Sequence, residues 1–187
     1  MTRDADATRS RLLASARHEF AQYGIAGARV DRIAADAGSN KAQIYHYFGS
    51  KDALFDAVFA DVVQQVVEGI PLDPQDLPGY AERLCRGYDD YPDIMRLATW
   101  HRLERGASRQ VKSALDSNRA KIAELASVQA SGGLSRQIDA GPLLALVLQI
   151  SAMWVELPDE LAAAIGRTSA DSRAAVVRQA VSALLEL

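Results

Sequence analysis

The chain has 187 residues, 49% apolar and 24% charged, with a formal net charge of −3. This composition is that of a globular protein in water, large enough for one domain or for a small domain fused to a larger one. The single cysteine, Cys85, excludes an internal disulfide framework and a cysteine-based zinc site, and points to a reducing, cytoplasmic setting.

The opening "MTRDADATRSR" has no apolar core of the kind a secretory signal needs. No apolar run approaches the ~20 residues of a membrane-spanning helix, so no membrane partner is expected. Leu12, Leu13, Ala16 and Phe20 recur at helical spacing and predict an amphipathic helix from Thr8 to Tyr23, stopped by Gly24. Val30, Ile33, Ala34 and Ala37 predict a short second helix ending at Gly38. A third is predicted from Lys41 to Phe48, with Asn40 as its N-cap. Ser50 caps the next, a long apolar helix over 51–68. "GIPLDPQDLPG" at 69–79 reads as a loop and a boundary. Further helices are predicted at 78–89, 92–105, 108–130, 139–156 and 171–186, with breaks at "SGGLS" and "ELPDE". The expected fold is all-α: a three-helix head over 1–50, joined by helix 51–68 to a helical body within 51–187.

Charge is unevenly spread. Residues 1–51 hold eight Lys/Arg against five Asp/Glu, and the remainder 13 against 19. A basic head on an acidic body is the asymmetry expected where one part meets a polyanion. Helices 30–37 and 41–48, joined by a tight turn, match a helix-turn-helix, whose second helix lies in a major groove. At ~100° per residue, Ile44 and Phe48 share the face that packs on Ile33, Phe20 and Leu13. Ala42, Gln43 and His46 share the opposite face, and Tyr45 and Tyr47 flank it.

Gln43 has the groups to pair with adenine or to donate to guanine, and Ala42 can touch a thymine methyl. His46 can reach a base edge or a phosphate, and the two tyrosines can donate to phosphates. The competing assignment makes Tyr45 a half-buried core residue. Lys51 stands at the first position of its helix, where the macrodipole disfavours a cation, and a phosphate docked there would account for it.

"VDRIAADAGSNKAQIYHYFGSKDALF" with "LLASARHEFAQYG" resembles the N-terminal domain of the TetR/AcrR family of bacterial transcriptional regulators. The carrying residues are Ile33-Ala34, Ala37-Gly38, Tyr45 with Phe48, and Ser50-Lys51-Asp52 with Leu54. The resemblance implies DNA contacts from Lys41, Gln43, Tyr45, His46, Tyr47 and Lys51. It also implies a homodimer on a palindromic operator and a body that binds a small effector. Where the family has Thr or Ser opening its second helix, this chain has Ala28-Arg29, and Arg29 can supply a phosphate contact instead.

In the body, Ala174, Val177, Val181, Leu184 and Leu185 form one stripe and, with Leu146 and Ile150, are the candidate dimer surface; otherwise they close the body's own core. Met95, Trp100, His101, Cys85, Tyr88, Met153 and Trp154 are candidates for a pocket taking a small apolar or amphipathic effector. Met and aromatic residues at this spacing also serve as plain core. No cofactor or metal is implied. A regulator or activator without an effector stays open, as, remotely, does a helical enzyme using His46 or His101. No metal-binding or nucleophile motif supports the enzyme.

Overall fold

The computed structural model describes residues 2–105 and 111–186, and the secondary structure among them is helical. The helices are α1 (Thr2–Gly27), α2 (Val30–Asp36), α3 (Lys41–Phe48), α4 (Lys51–Gly69), α5 (Leu77–Asp90), α6 (Asp93–Arg105), α7 (Lys112–Ala130), α8 (Ala140–Ala152), α9 (Asp159–Ile165) and α10 (Ala170–Leu185). The expected residues 108–110 of the seventh helix lie outside the described residues. None of the described helices is long and apolar enough to cross a membrane.

The chain packs as two units that interleave along the sequence, where the sequence reading draws a single boundary at residue 50. One holds α1–α3, α4 as far as Gln65, and α6; the other holds α5, most of α7, and α8–α10. In the first, Leu12, Ala16 and Phe20 of α1 meet Ile33, Ile44, Leu54 and Phe55, all fully buried. The Phe20 and Phe55 rings meet edge-on at 5.2 Å. Such a pair adds about 1 kcal/mol to the area it buries. α6, read from sequence as part of the body, packs on α1 and contributes Leu97 to this core.

The attachment of α6 follows from a break in α1. Gly24 has φ 69° and ψ −174°, a region open essentially only to glycine. There the regular helical bond from Ile25 N–H to the Ala21 carbonyl is replaced, and α6 supplies both substitutes. Glu104 accepts from Ile25 N (3.0 Å) and Ala26 N (2.8 Å). Arg96 Nε (2.8 Å) and Trp100 Nε1 (3.2 Å) donate to the Ala21 carbonyl. Backbone groups set free at a helix end must find partners when water is displaced. Here Arg96, Trp100 and Glu104, spaced four apart on one face of α6, provide them.

In the second unit, Leu77, Tyr80, Ala81, Leu84 and Cys85 make the buried stripe of α5, facing α8 and α10. Pro78 sits in its first turn and Asp76 caps it, accepting from Gly79 N at 2.9 Å. Gln129, nearly buried, donates from Nε2 to the Ser135 and Ile138 carbonyls, both at 2.7 Å, tying down the loop before α8. α8 stops at Ala152, four residues before the expected end. α9 was not expected: the break after α8 runs over residues 153–158, and a helix restarts at Asp159, inside "ELPDE".

Candidate functional site

α3 is fixed at both ends and on its inner face. The Asn40 side chain accepts from Gln43 N at 3.0 Å, as expected of the N-cap. Ser50 does the same for α4, accepting from Ala53 N at 3.0 Å. Ile44 is fully buried, and Phe48 and Tyr47 pack against the core around it. Lys41, Ala42, Gln43, Tyr45 and His46 are exposed, Tyr45 by half, so it is a surface residue rather than a core one. His46 and Tyr47 meet edge-on at 5.3 Å. Ser39 Oγ donates to Gln43 Oε1, which leaves the amide nitrogen as the group free to donate. Lys41 pairs with Asp31 across the turn.

The N-terminus of α2 answers the question raised by Ala28-Arg29. Arg29 is its N-cap without a side-chain cap bond. The cap comes from α1: Glu19, 7% exposed, accepts from Arg29 N at 2.7 Å and from Arg32 Nε at 2.8 Å. Burial by itself pushes the Glu19 carboxyl up. The Arg32 hydrogen bond, the Arg29 N–H and the neighbouring cations together outweigh it and hold the carboxyl below its ordinary value. Sequence reasoning missed Glu19; its signal was an acid flanking the apolar stripe Leu12–Ala16–Phe20. Arg32 also lies over the Tyr23 ring at 4.3 Å and is committed to the fold, whereas the Arg29 side chain is exposed.

Lys51 has partners of its own within the chain. Its ammonium donates to the carbonyls of Ala28 (3.1 Å) and Ala26 (3.3 Å) at the end of α1. These carbonyls account for a lysine at the start of α4 without a docked anion. On the same helix end, Arg105 bonds the Asp52 carbonyl at 3.0 Å and pairs with the Asp52 and Asp56 carboxylates.

The effector-pocket candidates divide between the units. Met95, Trp100 and His101 belong to the first; Cys85, Tyr88, Met153 and Trp154 belong to the second. Trp100 packs over Gly24, where an added Cβ would lie 2.8 Å from its ring. His101 stacks on Phe59 at 4.5 Å. In the second unit, burial pushes the Tyr80 and Tyr88 hydroxyls up to about 12 and the Cys85 thiol above its ordinary value. Burial also lowers the Lys121 ammonium, which lies over the Tyr80 ring at 5.8 Å. Trp154 donates from Nε1 to the Arg173 carbonyl at 3.2 Å and lines a cleft of about 430 Å³ with Asp89, Ile165, Arg167 and Arg173.

The dimer candidates also divide. Ala174, Val177 and Val181 are fully buried within their own unit, so this stripe of α10 closes the core and offers nothing to a second copy. Leu184, Leu185 and Ile150 are half-buried, and Leu146 is 40% exposed. Val176, on the outer side of α10 and 44% exposed, is the apolar residue the stripe argument passed over.

Comparison with known proteins covers most of the chain. Residues 12–58 match the description of bacterial regulatory proteins of the tetR family, and residues 76–182 match a tetracyclin repressor-like C-terminal domain. The HTH-type transcriptional repressor SCO4008 of Streptomyces coelicolor is 35% identical over 158 residues, 83% of this chain and 82% of that protein. The crystal structure of SCO4942, described as a transcriptional regulator of the same organism, superposes with a TM-score of 0.86 at 39% identity, covering 95% of this chain and 97% of that one. AibR, solved with isovaleryl coenzyme A and operator DNA, shares the fold (TM-score 0.68) at 16% identity, over 91% of this chain and 96% of that one.

Proposed function

The chain belongs to the TetR family of bacterial DNA-binding transcriptional regulators, and we propose that it is a cytoplasmic homodimeric repressor released from a palindromic operator by a small apolar or amphipathic effector. The observation that carries the DNA contacts is the division of α3: Ile44 buried, with Ala42, Gln43, Tyr45 and His46 exposed on a helix capped by Asn40. A helix held in this way can enter a major groove without rearranging. Gln43, its Oε1 held by Ser39, donates to a base acceptor such as guanine O6 or N7. Tyr45, Tyr47, Lys41, Arg29 and His46 reach phosphates or base edges around it, and those phosphate contacts set register rather than sequence.

A second copy supplies the second recognition helix, since two half-sites lie about 34 Å apart. Leu146 and Val176, with Ile150, Leu184 and Leu185, are the apolar surface available for that contact. Effector binding favours a conformation whose two heads no longer match successive grooves. α4, which contributes residues to both units, carries the change. The engagement of Trp100 and His101 in packing stands on the side of the second reading, a regulator without an effector.

The test is binding of the full chain to the DNA upstream of its own gene, measured across salt concentrations. Two protomers should bind per site, with affinity falling steeply as salt rises and far exceeding that for unrelated DNA. Equal affinity for both DNAs would refute the reading.

A further inference from the structure

We propose that the cleft between the end of α8, α9 and the start of α10 binds an anionic amphipathic small molecule, its carboxylate on Arg167 and Arg173 and its apolar body against Trp154, Leu157, Ala162 and Ile165. As a binding site this stands on geometry; as the identity of the effector it rests on the function proposed above.

Three independent features converge there. The first is size: about 430 Å³ falls within the ~300–1,000 Å³ of small-molecule sites. The second is an apolar surface that the chain itself leaves uncovered. α9 buries none of its residues, although Leu161, Ala162 and Ile165 repeat at helical spacing and Leu161 and Ile165 are 47% and 46% exposed. A seven-residue helix with no buried face is marginal in water. An apolar ligand against Ala162 and Ile165 gives this face something to pack on. Gly166, with φ 77°, ends α9 in the left-handed region and so directs the chain into Arg167 and Thr168 along the cleft.

The third feature is charge. Two guanidinium groups line the cleft against a single carboxylate, Asp89. Asp89 is already taken by Arg173, at 2.7 Å, and the other arm of Arg173 donates to the Thr168 carbonyl at 3.1 Å. Arg173 Nε is buried and donates to nothing among the described residues. Arg167 has no ion-pair partner among the described residues. The cleft therefore offers one free cation and a second guanidinium, whose Nε is buried and unused, beside an indole and three aliphatic side chains. A carboxylate on an apolar body gives Arg167 a partner beside the Arg173 guanidinium, whereas a cationic ligand meets Arg167 and finds Asp89 occupied.

The test is calorimetric titration of the full chain with octanoate, 1-octanol and octyltrimethylammonium. Octanoate should bind once per protomer, at least about tenfold tighter than either of the others, because the charged hydrogen bond is the stronger kind. Arg167→Ala should remove that preference, and Ala162→Trp, at an exposed position, should fill the cleft and abolish binding with the thermal melt unchanged. Equal binding of the alcohol or the cation, or octanoate binding to Ala162→Trp as to the native chain, would overturn the site. So would slow amide exchange across α9 in the ligand-free dimer, since a second copy then covers it. Operator release separates the two levels. Octanoate that binds but leaves the operator occupied upholds the site and removes it as the effector site. No octanoate binding to the native chain, with release of Ala162→Trp from the operator by another metabolite, refutes the cleft and retains the repressor.

Discussion

The two units solve the problem of joining helices in different ways. In the first, side chains from remote parts of the sequence terminate backbone groups: Glu19 caps α2, Lys51 takes the carbonyls ending α1, and Glu104, Arg96 and Trp100 replace bonds lost at Gly24. In the second, α5 packs on α8 and α10 through an apolar stripe, and the polar links from α5 to α10 are ion pairs along the helix sides. Arg86 joins Asp171 at 2.7 Å and Arg178 joins Glu82 at 3.1 Å, while Arg86 also pairs with Glu82 within α5 at 3.1 Å. Terminating a backbone group fixes where a helix starts and points, whereas a surface ion pair fixes little. The unit that has to present α3 in one orientation is the one built by termination.

That contrast can be broken by substitution. Gly24→Ala should be the most damaging, at about 3 kcal/mol, because it strains the backbone and drives a Cβ to 2.3 Å from Glu104 Oε1. Urea unfolding measures it, and loss of less than about 1 kcal/mol would mean that the break at Gly24 relaxes freely. Glu19→Gln comes next, at about 2 kcal/mol, for the loss of charged hydrogen bonds to Arg32 and Arg29 N. Its pH signature has a definite sign. The folded carboxyl titrates below its unfolded value of about 4.3. Its contribution is therefore complete above that value and is lost as pH falls through the folded one. Melts between pH 5 and pH 3 should fall more steeply for the native chain than for Glu19→Gln. Glu82→Ala, which removes one link between α5 and α10, to Arg178, and one within α5, to Arg86, should cost less than about 1 kcal/mol and fade in high salt. A loss as large as that of Glu19→Gln would erase the distinction between the units.

The sequence carried most of the first unit because its signals are local. Asn40 and Ser50 are caps within reach of their own helices, and the spacing of Ile44 and Phe48 set the inner face of α3. What stayed hidden was long-range. The partner of the α2 N-terminus stands ten residues upstream, and the partner of the Gly24 break stands about eighty residues downstream, so no window of sequence joins them. The row Arg96, Trp100, Glu104 was visible as a polar stripe, but a stripe names no target. In the second unit periodicity located the helices without saying which apolar face meets protein and which meets solvent. The stripe Ala174–Val177–Val181 proved to be core. α9 was hidden by its own N-terminal Pro158, which reads as a stop although proline followed by Asp159-Glu160 also opens a helix.

The division of α3 into a buried and a base-reading face is tested most directly by base preference at every position of the bound DNA, compared between the native chain and Gln43→Ala. The account predicts that the variant loses about 1–3 kcal/mol of discrimination at one base pair in each half-site, symmetrically about the dyad, with affinity for unrelated DNA unchanged. Identical base preferences for the two proteins would contradict it.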